Sequence, residues 1–147
     1  MLVEDDDVLR GVVERNLLAR GHDVSIAVDV QSALAHLRAK EFDLILLDIN
    51  LPDQTGWDVM RIAQAEGRFC IHADDQLHGK LPVVVLSAVR VSPRRLEEFH
   101  PLAYLPKPFP MEALLRLAAE AAQRSKVYGL TPALPTHFDP DKEDSHA

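Results

Sequence analysis

Four polar groups in this chain each follow an apolar run. Glu4, Asp5, Asp6 and Asp7 follow Met1–Val3, and Asp48 ends "FDLILLD". Ser87 ends "LPVVVLS", and Lys107 follows "LAYLP". Taken singly, each has an ordinary structural reading. Asp6 and Asp7 suit a helix N-terminus, Asp48 and Ser87 suit turns, and Lys107 suits a solvated surface. Taken together they suggest chemistry. Carboxylates about 4 Å apart repel by about 4 kcal/mol per pair at an effective dielectric near 20, so converging acids must take up protons or find positive charge. Lys107 supplies one charge, and a hard divalent cation supplies the rest. Mg²⁺ prefers oxygen ligands and is suited by one or two carboxylates plus a phosphate oxygen. An aspartate beside Mg²⁺, a hydroxyl and an ammonium can attack phosphorus, with the last two holding phosphoryl oxygens.

Such convergence needs a fold that brings strand ends together. Strand-like and helix-like runs alternate along the chain. "DVLRGVVERNLLARG" spaces Val8, Leu9, Val12, Val13 and Leu17 as a helix closed by Gly21. "DVSIAVD" alternates as a strand, and "VQSALAHLRAK" turns Leu34 and Leu37 inward as a short helix. "FDLILLD" and "LPVVVLSA" are continuous apolar strands, as in a sheet covered on both faces. "GWDVMRIAQAEG" presents Trp57, Met60 and Ile62 or Ala63 from one helix. Ser92-Pro93 reads as an N-cap followed by proline at the first helical position. "LAYLPK" is a last strand, and Pro110 opens a last helix. Five β/α units in series predict an α/β fold, a five-stranded parallel sheet in flavodoxin-like order 2-1-3-4-5 with helices on both faces. In that order strands one, three, four and five are neighbours, and their carboxyl ends carry the polar groups above.

The 147 residues suit one domain, 47% hydrophobic and 27% charged. No apolar stretch is long enough to span a bilayer, and the N-terminus lacks signal-peptide features. The single cysteine, Cys70, excludes an internal disulfide and predicts a cytoplasmic, reducing setting. A net charge of -7 without a basic stripe argues against gripping a nucleic acid backbone. The first strand begins at Met1, which predicts that a few N-terminal residues are missing. A segment at about 68–80 is long for a connection. Its Cys70, His72, Asp74, Asp75 and His78 match no recognised zinc spacing, and a polar surface loop is the default. Residues 127–147, with Pro132, Pro135 and Pro140, read as a flexible tail after a domain at 1–126.

"LVEDDDVLR", "DLILLDINLPDQTGW", "VVVLSA" and "YLPKPF" occur in that order and together resemble the receiver domain of two-component response regulators. The resemblance covers about residues 1–126. It implies that Asp48 is the phospho-acceptor, and that Glu4, Asp5, Asp48 and the backbone carbonyl of Asn50 hold Mg²⁺. It implies that Ser87 and Lys107 contact the phosphoryl group, with Pro108 a candidate for a cis peptide bond. Tyr104 would be the aromatic coupled to Ser87 in the switch, and Gly56 the loop glycine. Asn50 and Val89 would tune hydrolysis. The implied partners are a sensor histidine kinase or phosphotransfer protein and a downstream protein target, with no nucleic acid and no membrane. Where the family has Gly-Ala, this chain has His100-Pro101, which predicts that the fourth helix ends early.

Two other readings stand beside this one. A receiver-like interaction module would keep the fold without switching, whereas the acid, serine and lysine set favours a switch. An Asp-nucleophile phosphatase of the haloacid dehalogenase type wants a second aspartate two positions after the nucleophile, and Asn50 stands there.

Overall fold

A computed structural model describes residues 1–68 and 81–130. The elements alternate as predicted: β1 (Leu2–Val3), α1 (Asp7–Ala19), β2 (Ile26–Ala27), α2 (Val30–Ala39), β3 (Ile45–Asp48), α3 (Gly56–Ala65), β4 (Val83–Ser87), α4 (Pro93–Phe99), β5 (Ala103–Pro106) and α5 (Met111–Leu130). All strand pairs are parallel, in the order β2-β1-β3-β4-β5.

The continuous apolar runs are explained by the pleat. Successive side chains point to opposite faces, and each face is covered. Val3, Ile45, Leu47, Val83 and Val85 join α2, α3 and α4 through Val30, Leu34, Met60 and Phe99. Leu2, Leu46, Val84 and Leu86 join α1 and α5 through Val13, Leu17, Leu114 and Ala118. Fully burying a side chain of this size stabilises by about 1.5–3 kcal/mol, so every strand of the centre is anchored twice.

Helix ends follow local chemistry. Asp6 Oδ1 accepts from the Leu9 N–H at 2.9 Å, and Asp29 from that of Ser32 at 2.7 Å. Ser92 caps α4 with Pro93 behind it, as the sequence predicts. α4 has seven residues and stops at Phe99. His100 closes it in the left-handed region (φ 47°, ψ 56°), because Pro101 disfavours right-handed helix in the residue before it. At the other end α5 runs through Leu130, with no proline to interrupt it before Pro132. The insert residues Cys70, His72, Asp74, Asp75 and His78, and the tail from 131 on, lie outside the described residues. No described helix is long and apolar enough to cross a membrane.

Candidate functional site

The sheet order sets β1, β3, β4 and β5 side by side, and the four polar groups meet at their carboxyl ends. Glu4 continues β1, its N–H donating to the Ala27 carbonyl at 3.0 Å. Asp48 ends β3 opposite Leu86, and Ser87 ends β4 opposite Pro106. Lys107 is held at the end of β5 by its N–H donating to the Ser87 carbonyl at 2.8 Å. The Lys107-Pro108 bond is cis.

Glu4, Asp48 and Ser87 are the buried polar residues of the described chain, while Asp5 is exposed. One carboxylate oxygen each from Glu4, Asp5 and Asp48 lie within 4.8 Å of one another. Lys107 Nζ reaches between two of them, donating to Glu4 Oε2 at 2.9 Å and lying 3.2 Å from Asp48 Oδ2. Burial pushes the Glu4 carboxyl pKa up; the Lys107 hydrogen bond opposes this, and the nearby Asp48 charge adds to it. Burial alone would pull the Lys107 ammonium pKa down, yet Glu4 and Asp48 together outweigh it and hold the value above that of an ordinary lysine. Three carboxylates against one ammonium leave a net negative site. An all-oxygen donor set of this charge fits a hard divalent cation such as Mg²⁺, and it lacks the imidazole and thiolate ligands that softer metals favour.

Around this cluster the loop after β3 is tightly held. The Asn50 N–H donates to Asp48 Oδ1 at 3.2 Å, and Asn50 pairs across the loop with Thr55. The Gly56 N–H donates to the Ile49 carbonyl at 2.8 Å. A Cβ at position 56 would collide with the Asp48 carbonyl oxygen and come within 3.1 Å of the Ile49 Cα. Only glycine lets α3 start this close to the end of β3.

Ser87 and Tyr104 are joined through a third residue. Ser87 Oγ donates to the Val89 carbonyl at 2.8 Å and accepts from the Val89 N–H at 3.1 Å. The Tyr104 hydroxyl donates to the same carbonyl at 3.2 Å. The hydroxyl of Ser87 therefore bonds Val89 rather than Asp48, although both sit at the sheet's carboxyl edge.

Two residues of this region escape a reading of the sequence as site residues. Arg10 Nη1 donates to the Glu4 carbonyl at 3.1 Å and to the Asp5 carbonyl at 3.3 Å, which fixes the backbone that carries the acidic pair. Its signal is a cation in the first turns of a helix, where the dipole disfavours one without a specific partner. Asp53 bonds a helix 22 and 23 residues away. In sequence it is an ordinary turn aspartate, and nothing local marks it.

The sequence model of the response regulator receiver domain matches residues 1–119. The chain belongs to this family. As a receiver it has relatives among curated regulators: it is 31% identical to the response regulator protein FleR of Pseudomonas aeruginosa, over 83% of this chain and 24% of FleR. It is 32% identical to protein PetR of Rhodobacter capsulatus, over 81% of this chain and 46% of PetR. The receiver thus spans half or less of the length of these relatives. Among solved structures it resembles the chemotaxis protein CheY4 of Vibrio cholerae, with TM-score 0.66 and 25% identity over 82% of this chain and 94% of that one. It also resembles the receiver domain of a Pseudomonas aeruginosa sensor histidine kinase, whose structure holds a magnesium ion in its active-site cleft, with TM-score 0.63 and 25% identity over 87% and 94% of the two chains. These matches favour a phospho-accepting signalling module over a dehalogenase-type phosphatase.

Proposed function

We propose that this receiver takes a phosphoryl group from the phosphohistidine of a sensor histidine kinase or phosphotransfer protein onto Asp48. The observation that carries the reading is the meeting of Glu4, Asp5 and Asp48 within 4.8 Å with Lys107 bridging two of them. Glu4, Asp5, Asp48 and the backbone carbonyl of Asn50 would hold Mg²⁺, which when bound neutralises charge on the phosphoryl oxygens. Asp48 is buried at the end of β3, where it pairs with Leu86 of β4, so its carboxylate is presented in one place. Its Oδ–P bond forms as the donor's N–P bond breaks, and the leaving imidazole takes up a proton. Lys107 then offers its ammonium to the transferred group. Ser87 turns from the Val89 carbonyl toward a phosphoryl oxygen, which releases the carbonyl that Tyr104 shares and reshapes the β4–α4–β5 face for a downstream protein target.

We assign this role to a domain of about residues 1–126, working in the cytoplasm on protein partners rather than on nucleic acid or membrane. The single cysteine and the net charge of -7 support that setting. Incubation with acetyl phosphate and Mg²⁺, followed by intact mass measurement, tests the core of the proposal. One phosphoryl adduct is expected on the wild-type chain and none on Asp48→Asn. An unmodified wild-type mass, with beryllofluoride also leaving the Trp57 fluorescence unchanged, would overturn it.

A further inference from the structure

Asp53 sits in the loop between β3 and α3, yet its carboxylate serves a different element. Oδ1 accepts from the Val30 N–H at 3.0 Å, and Oδ2 accepts from the Gln31 N–H at 3.2 Å. These are the first two residues of α2, whose N–H groups have no partner within the helix. The third, Ser32, is served by the helix's own cap, Asp29. The work at this helix end is therefore divided: Asp29 satisfies the helix, and Asp53 ties a distant loop to it. Oδ1 also accepts from the Gln54 N–H at 2.9 Å, which folds the loop around the same carboxylate.

The anchor point is seated in the core. Val30 is buried in the core with Ala33 and Leu34, and the helix N-terminus attracts the charge. The Val30 N–H above all, helped by Gln31 and Gln54, holds the Asp53 carboxyl pKa below the usual carboxylate range. The loop's two ends are fixed by Asp48 and Gly56, and Asn50 pairs with Thr55 across it. Asp53 lies inside that pairing, so its tie to α2 sets where the tip of the loop stands. Asn50 stands three residues before Asp53 in the same short loop, which this tie fastens to α2.

We propose that Asp53 is a positioning residue for phosphoryl transfer, clamping the β3–α3 loop to the N-terminus of α2 so that the Asn50 carbonyl is held ready for the metal. The inference rests on the reading of Asn50 as a backbone ligand. A group behind the ligands that is removed typically costs metal affinity without touching the metal.

The test uses the full chain with Asp53→Ala, Asp53→Asn and, as the comparison, Asp29→Ala. Mg²⁺ affinity is measured by titration calorimetry, phosphorylation by acetyl phosphate at low and saturating Mg²⁺, and stability by thermal melting. Asp53→Ala is expected to weaken Mg²⁺ binding about tenfold and to slow phosphorylation at low Mg²⁺, with the rate recovering at saturation. Asp53→Asn keeps the shape and one acceptor, folds as the wild type does, and falls between the two. Asp29→Ala is expected to lower the melting temperature while leaving Mg²⁺ affinity within about twofold of wild type, as loss of a cap alone should. Unchanged affinity in both Asp53 variants overturns the inference, and so does an equal loss in Asp29→Ala, which would make both residues simple caps. A wild-type chain that takes neither Mg²⁺ nor a phosphoryl group overturns the underlying reading, and is told apart because no variant is needed to see it.

Discussion

Lys107 balances charge that the fold cannot disperse. Its ammonium lies 2.9 Å from Glu4 and 3.2 Å from Asp48, both almost wholly buried. Removing one partner of a buried pair leaves the other charge uncompensated, at a cost of about 3 kcal/mol. Lys107→Ala is therefore expected to lose about that much stability in urea unfolding with EDTA present, and to recover most of it in Mg²⁺, which replaces the missing charge. Equal unfolding midpoints for variant and wild type in EDTA would show that water already screens the carboxylates. The sequence already marked Lys107 as a positive charge for the converging acids, but not which carboxylate it would bond. Its partner Glu4 stands 103 positions away, a contact that no local pattern encodes.

At the scale of elements, the start of α3 is the tightest point of the site. Gly56 packs on the backbone of Asp48 and Ile49, and neither can yield without moving β3. Gly56→Ala is expected to cost about 3 kcal/mol, read as a lowered urea midpoint; a wild-type midpoint would mean that the loop relaxes freely. The neighbouring Trp57 stacks on Phe99 with ring centroids 5.1 Å apart and planes 18° from parallel, and Arg61 lies 5.8 Å above the same ring. This contact holds the end of a seven-residue helix whose C-terminus is cut short by Pro101. Helix lengths, caps and the early stop at Phe99 were legible because proline, serine and glycine act within a few residues. The stack was not, because Trp57 and Phe99 look like two separate apolar positions on two separate helices.

At the scale of the whole molecule, the acidic cluster sets a part of the stability that a cation can supply. Ligand that binds only the folded state stabilises it by about 2.7 kcal/mol at a hundred times its dissociation constant. Mg²⁺ at that excess is expected to raise the melting temperature by about 10 °C, and Asp5→Asn to remove most of the rise. A wild-type melt indifferent to Mg²⁺ would count against the cluster as a metal site. The sequence by itself determined the fold class, the strand order and the polar strand ends, because hydrophobic periodicity and right-handed crossovers leave few arrangements of five β/α units. Only the tertiary structure decided how those ends are used. It brought Lys107 to Glu4, sent the Ser87 hydroxyl to the Val89 carbonyl that Tyr104 also uses, and reached Asp53 across to α2. Periodicity is a property of neighbours in the chain, whereas a hydrogen bond or an ion pair depends on where two distant backbones come to rest.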